Sequence, residues 1–146
     1  MPVLVANGAK FNVMQQDCEH PGPCEDVVFV HGLATSLAFW CLHYLPEFVK
    51  RFRVTLYDLR GHGRSQMTES GYSADGMALD LEGILDQLGI EKAHFVTHSY
   101  GGLVALNFAS RHPERVLSLL LADTHISSVR HLGQPRRWEL GERVAA

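Results

Sequence analysis

The stretch Thr97-His98-Ser99-Tyr100-Gly101-Gly102 lies between a short apolar run at residues 93–96 and an apolar segment of helical pattern at residues 100–111. A serine on a sharp turn from a strand into a helix stands exposed above the edge of its sheet, an arrangement called a nucleophile elbow. Small residues are needed beside it because strand and helix approach closely there. The N-terminus of the helix also brings positive partial charge to a developing oxyanion. Ser99 is therefore the first candidate for a catalytic nucleophile.

Apolar runs of strand length and helical stripes alternate on both sides of this turn. We predict strands at residues 3–6, 10–15, 27–30, 54–57, 93–96 and 116–122, the last one buried, and helices at 36–50 with an interruption at Pro46, at 73–88 and at 100–111. Asn7-Gly8 suits the positive φ angles of a tight hairpin turn, Ser73 is a good N-cap and Gly89 ends its helix. Such alternation predicts the α/β class: a mostly parallel sheet with helices on both faces and an N-terminal antiparallel hairpin.

Composition and charge exclude several classes of protein. The chain has 146 residues, 46% apolar and 20% charged, as in ordinary globular domains. A net charge of −3 argues against nucleic-acid binding, and no apolar run has the ~18–20 residues that a membrane helix needs. The start, Met1-Pro2-Val3-Leu4-Val5, does not resemble a signal peptide. Three cysteines, an odd number, do not predict a disulfide framework, so we expect a cytoplasmic domain without nucleic-acid or membrane partners.

Three motifs in the correct order resemble the α/β-hydrolase superfamily over about residues 9–125. His31-Gly32-Leu33 follows a predicted strand, as the oxyanion loop does in that family. Asp58-Leu59-Arg60-Gly61-His62-Gly63-Arg64-Ser65 looks like the D-x-R-G-x-G-x-S stretch after the next strand, and the elbow at Ser99 comes third. The resemblance implies a truncated α/β-hydrolase fold.

The resemblance also implies roles for individual residues. Ser99 would be the nucleophile, and the backbone N–H groups of Leu33 and Tyr100 would form the oxyanion hole. Phe39 and Trp40 would line an acyl pocket, or would simply pack in the core. The implied substrate is a small acyl compound (an ester, thioester, lactone or similar), with neither a cofactor nor a metal ion.

Two departures from the family pattern affect these expectations. Thr97 replaces the first glycine of G-x-S-x-G. The acid and the histidine of the triad normally follow later strands, so we expect residues 1–128 to be the N-terminal part of a hydrolase core. Residues 129–146 would be the start of a cap or lid, or a disordered tail. Asp123, after the last predicted strand, is the candidate acid; alternatively it bonds nearby backbone N–H groups. The isolated chain is expected to be inactive or very weak.

No histidine is an obvious general base. His125 could serve Asp123, or be an ordinary loop residue, and His98 neighbours the nucleophile only in sequence. His31 and His62 are predicted to pack and bond within their loops. Cys18, His20 and Cys24 could suggest a metal site, but they match no zinc pattern and are predicted to be loop residues. Asp58 and Arg60 are predicted to form a structural ion pair.

A second hypothesis belongs to another class of function. The chain could be a catalytically inactive, truncated hydrolase that acts as a binding or scaffold module. An unpaired apolar edge at residues 117–122 would then invite self-association or pairing with a second chain.

Overall fold

The computed structural model describes residues 3–126. The strands, in chain order, are β1 (Val3–Ala6), β2 (Ala9–Gln16), β3 (Asp26–Val30), β4 (Arg53–Tyr57), β5 (Ala93–His98) and β6 (Val116–Ala122). The helices are α1 (Ala38–Cys41), α2 (Leu45–Phe48), α3 (Ala74–Gln87) and α4 (Tyr100–Arg111), and a 3₁₀ turn spans Pro113–Arg115. The predicted boundary between residues 128 and 129 lies outside the described residues, and so does the predicted cap or tail at 129–146.

The six strands form one mixed sheet in the order β1-β2-β4-β3-β5-β6. The pairs β3/β4, β3/β5 and β5/β6 are parallel, whereas β1/β2 and β2/β4 are antiparallel. The first hairpin turns at Asn7 and Gly8, whose φ angles are 44° and 74°. This confirms both the mostly parallel sheet and the N-terminal hairpin.

Helices cover both faces of the sheet, which explains the unbroken apolar run of β3 from Val27 to Val30. Along β3, Val28 and Val30 belong to a core cluster under α3 and α4. Val27 and Phe29 point to the other face and pack with residues of the α1–α2 segment. Successive side chains of a strand alternate between faces, so a strand covered on both sides needs an unbroken apolar run.

The end signals of α3 act as predicted. The Ser73 hydroxyl accepts a hydrogen bond from the Gly76 N–H at 3.0 Å, and Gly89 follows the helix with a φ of 65°. The serine provides an acceptor for a backbone N–H of the first turn, which has no acceptor within the helix. The glycine adopts the positive φ that commonly ends a helix.

The helical pattern predicted over residues 36–50 is interrupted as expected, but the break comes before Pro46 and not at it. The segment forms two helices of four residues each, α1 and α2, and Pro46 lies in the first turn of α2. A proline ring in a continuous helix would clash with the carbonyl four residues earlier, here that of Leu42. The chain therefore ends one helix before that point and begins another in which proline is tolerated.

The prediction that β6 is buried is also wrong. Leu120 is 53% exposed and Leu117 is 42% exposed. Within residues 3–126, β6 pairs only with β5 and forms the last strand of the sheet. An apolar sequence identifies a strand, but its exposure depends on which neighbours the strand has.

The cysteine prediction needs correction as well. Cys18 and Cys24 form a disulfide in the loop between β2 and β3, and Cys41 is a free thiol. The three cysteines are therefore one disulfide-bonded pair and one free cysteine. Bonded sulfurs cannot act as thiolate ligands, which removes the metal-site alternative at Cys18, His20 and Cys24.

None of the helices between residues 3 and 126 has the length and apolar character required to cross a membrane.

Candidate active site

The topology of the sheet places a switch point between the carboxyl ends of β3 and β5. These two strands are neighbours, yet the chain leaves β3 toward β4 on one side and leaves β5 toward β6 on the other. Ligands of open α/β sheets bind at such switch points. A Cβ placed on Gly32, after β3, would lie only 3.1 Å from the Cβ of Ser99, after β5. The loop after β3 and the elbow serine are thus in direct contact.

Ser99 has the strained backbone of an elbow. Its φ is 50° and its ψ is −120°, a conformation that residues with a side chain rarely adopt. Its N–H donates to the Ala122 carbonyl at 2.8 Å, and its carbonyl accepts from the Gly102 N–H at 3.0 Å and the Thr124 hydroxyl at 3.1 Å. The Ser99 hydroxyl does not cap α4. The backbone is held by its neighbours while the hydroxyl stays available for chemistry.

The two glycines after Tyr100 allow this turn to form. A Cβ on Gly101 would overlap the carbonyl oxygen of Val30 and would lie 2.6 Å from that of His31. A Cβ on Gly102 would overlap the side chain of Thr124. The close approach predicted for this position is therefore observed, and it involves β3 as well as the segment after β6.

Thr97, the departure from the glycine pattern, fits the turn without conflict. Its side chain is fully buried and its hydroxyl donates to the Leu120 carbonyl at 2.8 Å. A buried hydroxyl is tolerated when its hydrogen bond is made. The branched side chain is thus accommodated between β5 and β6.

Leu33 and Tyr100, the predicted oxyanion donors, flank Ser99. Leu33 follows Gly32 in the loop that contacts Ser99, and its N–H donates to no acceptor within residues 3–126. Tyr100 is the first residue of α4, where an N–H has no helical acceptor. The Tyr100 hydroxyl donates to the Tyr72 carbonyl at 2.9 Å, and partial burial raises the pKa of its phenol. Two backbone N–H groups without an acceptor among the described residues are therefore close to Ser99 along the chain or through the loop that contacts it.

Asp58 holds the far end of the loop that contains Gly32 and Leu33. Its carboxylate accepts hydrogen bonds from the Leu37 N–H at 2.8 Å, the Arg64 N–H at 2.9 Å and the Asn12 amide at 2.7 Å. A Cβ on Gly63 would overlap this carboxylate. The D-x-R-G-x-G-x-S stretch is therefore hydrogen-bonded to the segment after β3 through Asp58 and Leu37. Sequence reasoning missed this role, although an acid directly after a buried strand was the available signal.

The predicted Asp58–Arg60 ion pair is wrong. Arg60 pairs with Asp80 on α3, with Nε to Oδ2 at 2.9 Å, and both side chains are buried. Because α3 packs beside the turn that carries Arg60, the nearer carboxylate in space comes from 20 residues along the chain.

The two aromatic candidates differ in their surroundings. Phe39 is 41% exposed, and its ring stacks on that of His98 with centroids 5.0 Å apart. Trp40 is only 3% exposed and packs against Phe29 in the core. Phe39 therefore lies beside the elbow, where it can contact a ligand. The burial of Trp40 favours the alternative of core packing, and a place in an acyl pocket stays a prediction for both residues.

Asp123 lies next to the elbow through the β5–β6 pairing. It directly follows Ala122, whose carbonyl bonds the Ser99 N–H, and it is exposed with a φ of 50°. His125 is exposed two residues later. No histidine within residues 3–126 is hydrogen-bonded to Ser99 or Asp123. His98 has an Nδ1 that is buried without a partner, and it stacks on Phe39 instead.

A mostly parallel sheet with a strained serine elbow at its switch point defines a hydrolase-type fold. The model of the α/β hydrolase fold family matches residues 27–139. The chain is 40% identical over 95 residues to a protein of Stutzerimonas stutzeri named carbamate hydrolase RutD, an alignment that covers 64% of this chain and 36% of that one. The chain belongs to the α/β-hydrolase family.

Solved structures agree with this assignment. The enol-lactonase of Burkholderia xenovorans superposes with a TM-score of 0.74 at 32% identity, covering 81% of this chain and 45% of that one. Est816, described as an N-acyl homoserine lactone degrading enzyme, gives a TM-score of 0.78 at 30% identity, covering 97% and 51%. The chain therefore spans about half, or less, of the length of these proteins.

Proposed function

We propose that the protein is a serine-nucleophile hydrolase of small acyl compounds. The observation that carries the proposal is Ser99, held in a strained elbow against the loop of Gly32 and Leu33. An aspartate at this position would instead suggest a dehalogenase or an epoxide hydrolase. The names of the relatives cited above, a carbamate hydrolase and two lactone-cleaving enzymes, support attack on a carbonyl carbon.

In the proposed reaction, the Ser99 Oγ attacks the substrate carbonyl and loses its proton to a general base. The oxyanion that forms accepts hydrogen bonds from the N–H groups of Leu33 and Tyr100, each typically worth ~10²–10³ in rate. The C–O or C–N bond then breaks, the leaving group takes a proton, and water hydrolyses the acyl-enzyme. Asp123 is the proposed acid that would orient the base, because it follows the strand beside β5. The acyl transfer needs neither a metal ion nor an organic cofactor.

Covalent labelling tests the nucleophile. The protein purified from its native source, treated with a fluorophosphonate, is expected to carry one label on the peptide that contains Ser99, because an activated serine is the reactive species. Peptide mass spectrometry measures the position. Ser110→Ala, at an exposed serine of α4, should be labelled normally, whereas Ser99→Ala should not. A label on another serine, or no label, would contradict the proposal.

A second function is favoured by the exposed edge of the sheet. We propose that β6 pairs with β6 of a second copy of this chain. The strand carries no charged residue and exposes Leu117, Leu120 and Leu121, whereas edge strands of monomeric proteins are usually protected by charges or proline. Pairing would extend the sheet across the dimer and cover these leucines.

Sedimentation velocity of the 146-residue chain measures this association. We expect a concentration-dependent dimer for the unmodified chain and a monomer of 16.3 kDa for Leu120→Lys. The control is Leu42→Lys at a leucine that is 80% exposed after α1, which should leave the dimer intact. A monomer at all concentrations would remove the edge-pairing proposal without affecting the one about Ser99.

The sequence predicts a cytoplasmic location, which stays a proposal, but the disulfide between Cys18 and Cys24 favours an oxidising compartment. Disulfides persist mainly in oxidising compartments. Alkylation of free thiols in freshly lysed cells would decide: one modified cysteine, Cys41, is expected outside the cytoplasm, and three within it.

A further inference from the structure

His31 is buried at the start of the oxyanion loop with both ring nitrogens engaged. Its Nδ1 lies 2.7 Å from the Gly32 carbonyl oxygen, and its Nε2 lies 3.0 Å from the Leu59 nitrogen. A carbonyl can only accept and a backbone N–H can only donate. The imidazole must therefore carry its proton on Nδ1 and offer a lone pair at Nε2, which is the neutral Nδ1–H tautomer.

These two bonds connect the oxyanion loop to the turn after β4. One bond holds the carbonyl of Gly32, which belongs to the same peptide group as the Leu33 N–H. The other ties the ring to Leu59, the residue after Asp58. We propose that neutral His31 is a positioning residue that aims the Leu33 N–H at the oxyanion, and that protonation of His31 displaces this N–H and switches the site off in acid. The catalytic part of this inference rests on the proposed function; the effect on the loop does not.

The physical reason is a conflict between donors. Protonation would place a hydrogen on Nε2, directly facing the Leu59 N–H, so the bond at 3.0 Å could not survive. The ring would have to move away from Leu59. Because the Gly32 carbonyl is bonded to the same ring, the peptide group of Gly32 and Leu33 would be displaced as well. A displacement of about 1 Å at a catalytic group can lower a rate by ~10².

The surroundings of His31 favour the neutral form. Burial lowers the pKa of His31, the bond to Gly32 raises it, nearby His62 lowers it, and the charge of Asp58 raises it; the net direction is downward. His62 comes from the turn after β4, with ring centroids 5.5 Å apart. From β5, His98 lies against Gly32, and from α4, Gly101 lies against the His31 carbonyl. The loop is therefore intact at neutral pH.

The sign of the pH effect follows from this direction. A histidine whose pKa is lower in the folded state binds its proton more readily when unfolded. Its contribution to stability is thus full above about pH 6.5, the ordinary histidine pKa, and is lost as the pH falls below that value toward the folded pKa.

Nuclear magnetic resonance of the uniformly ¹⁵N-labelled chain tests the effect on the loop without any assay of activity. We expect the His31 nitrogens to show the Nδ1–H tautomer and to titrate below the ordinary histidine value of about 6.5. The Gly32 and Leu33 amide signals should move with the midpoint of His31. An Nε2–H tautomer, a His31 midpoint at or above about pH 6.5, or a Leu33 amide signal that does not follow the protonation of His31 would each overturn the proposal.

Kinetics of the natively purified enzyme test the catalytic consequence. His31→Gln changes the hydrogen bonds that position the Leu33 N–H, so we expect kcat to fall about 10- to 100-fold with KM within twofold. Because glutamine cannot take up a proton, the decline of kcat below about pH 6.5 that is attributable to His31 should disappear. The matched control, His62→Gln, should keep that acid decline. An unchanged acid decline in His31→Gln would overturn the switch. Absence of hydrolysis in the unmodified protein would instead count against the proposed function, while the amide titration would still decide the effect on the loop.

Discussion

Ser99→Ala is expected to lower kcat for an activated ester by about 10⁴-fold or more in the natively purified protein, because the bond-forming oxygen is removed. Ser99→Gly should lose as much activity, since it lacks the same oxygen. The two variants differ in the backbone. Alanine keeps a Cβ at a φ of 50°, whereas glycine adopts positive φ without strain. Urea denaturation should therefore show Ser99→Gly to be about 1 kcal/mol more stable than Ser99→Ala.

Ser110→Gly is the control for this comparison. Ser110 lies in the last turn of α4, where alanine favours the helix, so Ser110→Gly should be less stable than Ser110→Ala by about 0.5–1 kcal/mol. The opposite signs at Ser99 and Ser110 would identify strain that is confined to the elbow. Retained turnover in Ser99→Ala would reject the nucleophile, and equal stability of the two Ser99 variants would reject the strain.

Asp80→Ala is expected to reduce the free energy of unfolding by about 3–5 kcal/mol, because it leaves the Arg60 guanidinium buried without its charge partner. Asp80 is 1% exposed and accepts bonds from Arg60 and from the Asn7 amide at 2.8 Å. Arg60 in turn donates to the Asn7 carbonyl at 3.0 Å. One ion pair thus joins the first hairpin, the turn after β4 and helix α3.

The control is a pair that is exposed to solvent. Glu47 and Lys50 bond at 2.8 Å on the surface of α2, and Glu47→Ala should change stability by less than about 1 kcal/mol. The double variant Arg60→Met, Asp80→Leu should recover part of the loss, since no charge then remains buried. Urea denaturation of all four proteins measures these differences. A loss below 1 kcal/mol in Asp80→Ala would show that water reaches Arg60 after the substitution.

The elements that were predicted from the sequence are those whose signals are local. The apolar runs gave the strands, Ser73 and Gly89 gave the ends of α3, and Asn7-Gly8 gave the first turn. The sequence predicts an interruption at Pro46, but the helices are separated by residues 42–44, before the proline. The exposure of β6 could not be predicted, because it depends on neighbouring strands and not on its own residues.

The candidate site shows the same division. Ser99 and its glycines form a short continuous motif, so their geometry was predictable. The partner of Arg60 was not, because Asp58 is two residues away in sequence while Asp80 is bonded in space. The disulfide was missed because the parity of the cysteine count says nothing about which two thiols meet. The tautomer of His31 cannot be predicted from the sequence, because it depends on the acceptor and the donor that face its ring in the folded protein.

The disulfide between Cys18 and Cys24 makes the first long loop a ring closed by a covalent bond. Every residue between the two cysteines is exposed, including Pro21, Gly22 and Pro23. A protease that cut inside this ring would leave two pieces still joined through sulfur, with the first hairpin still paired to β4. The ring is therefore the place where new termini or an inserted epitope could be introduced while the oxidised molecule stays in one piece.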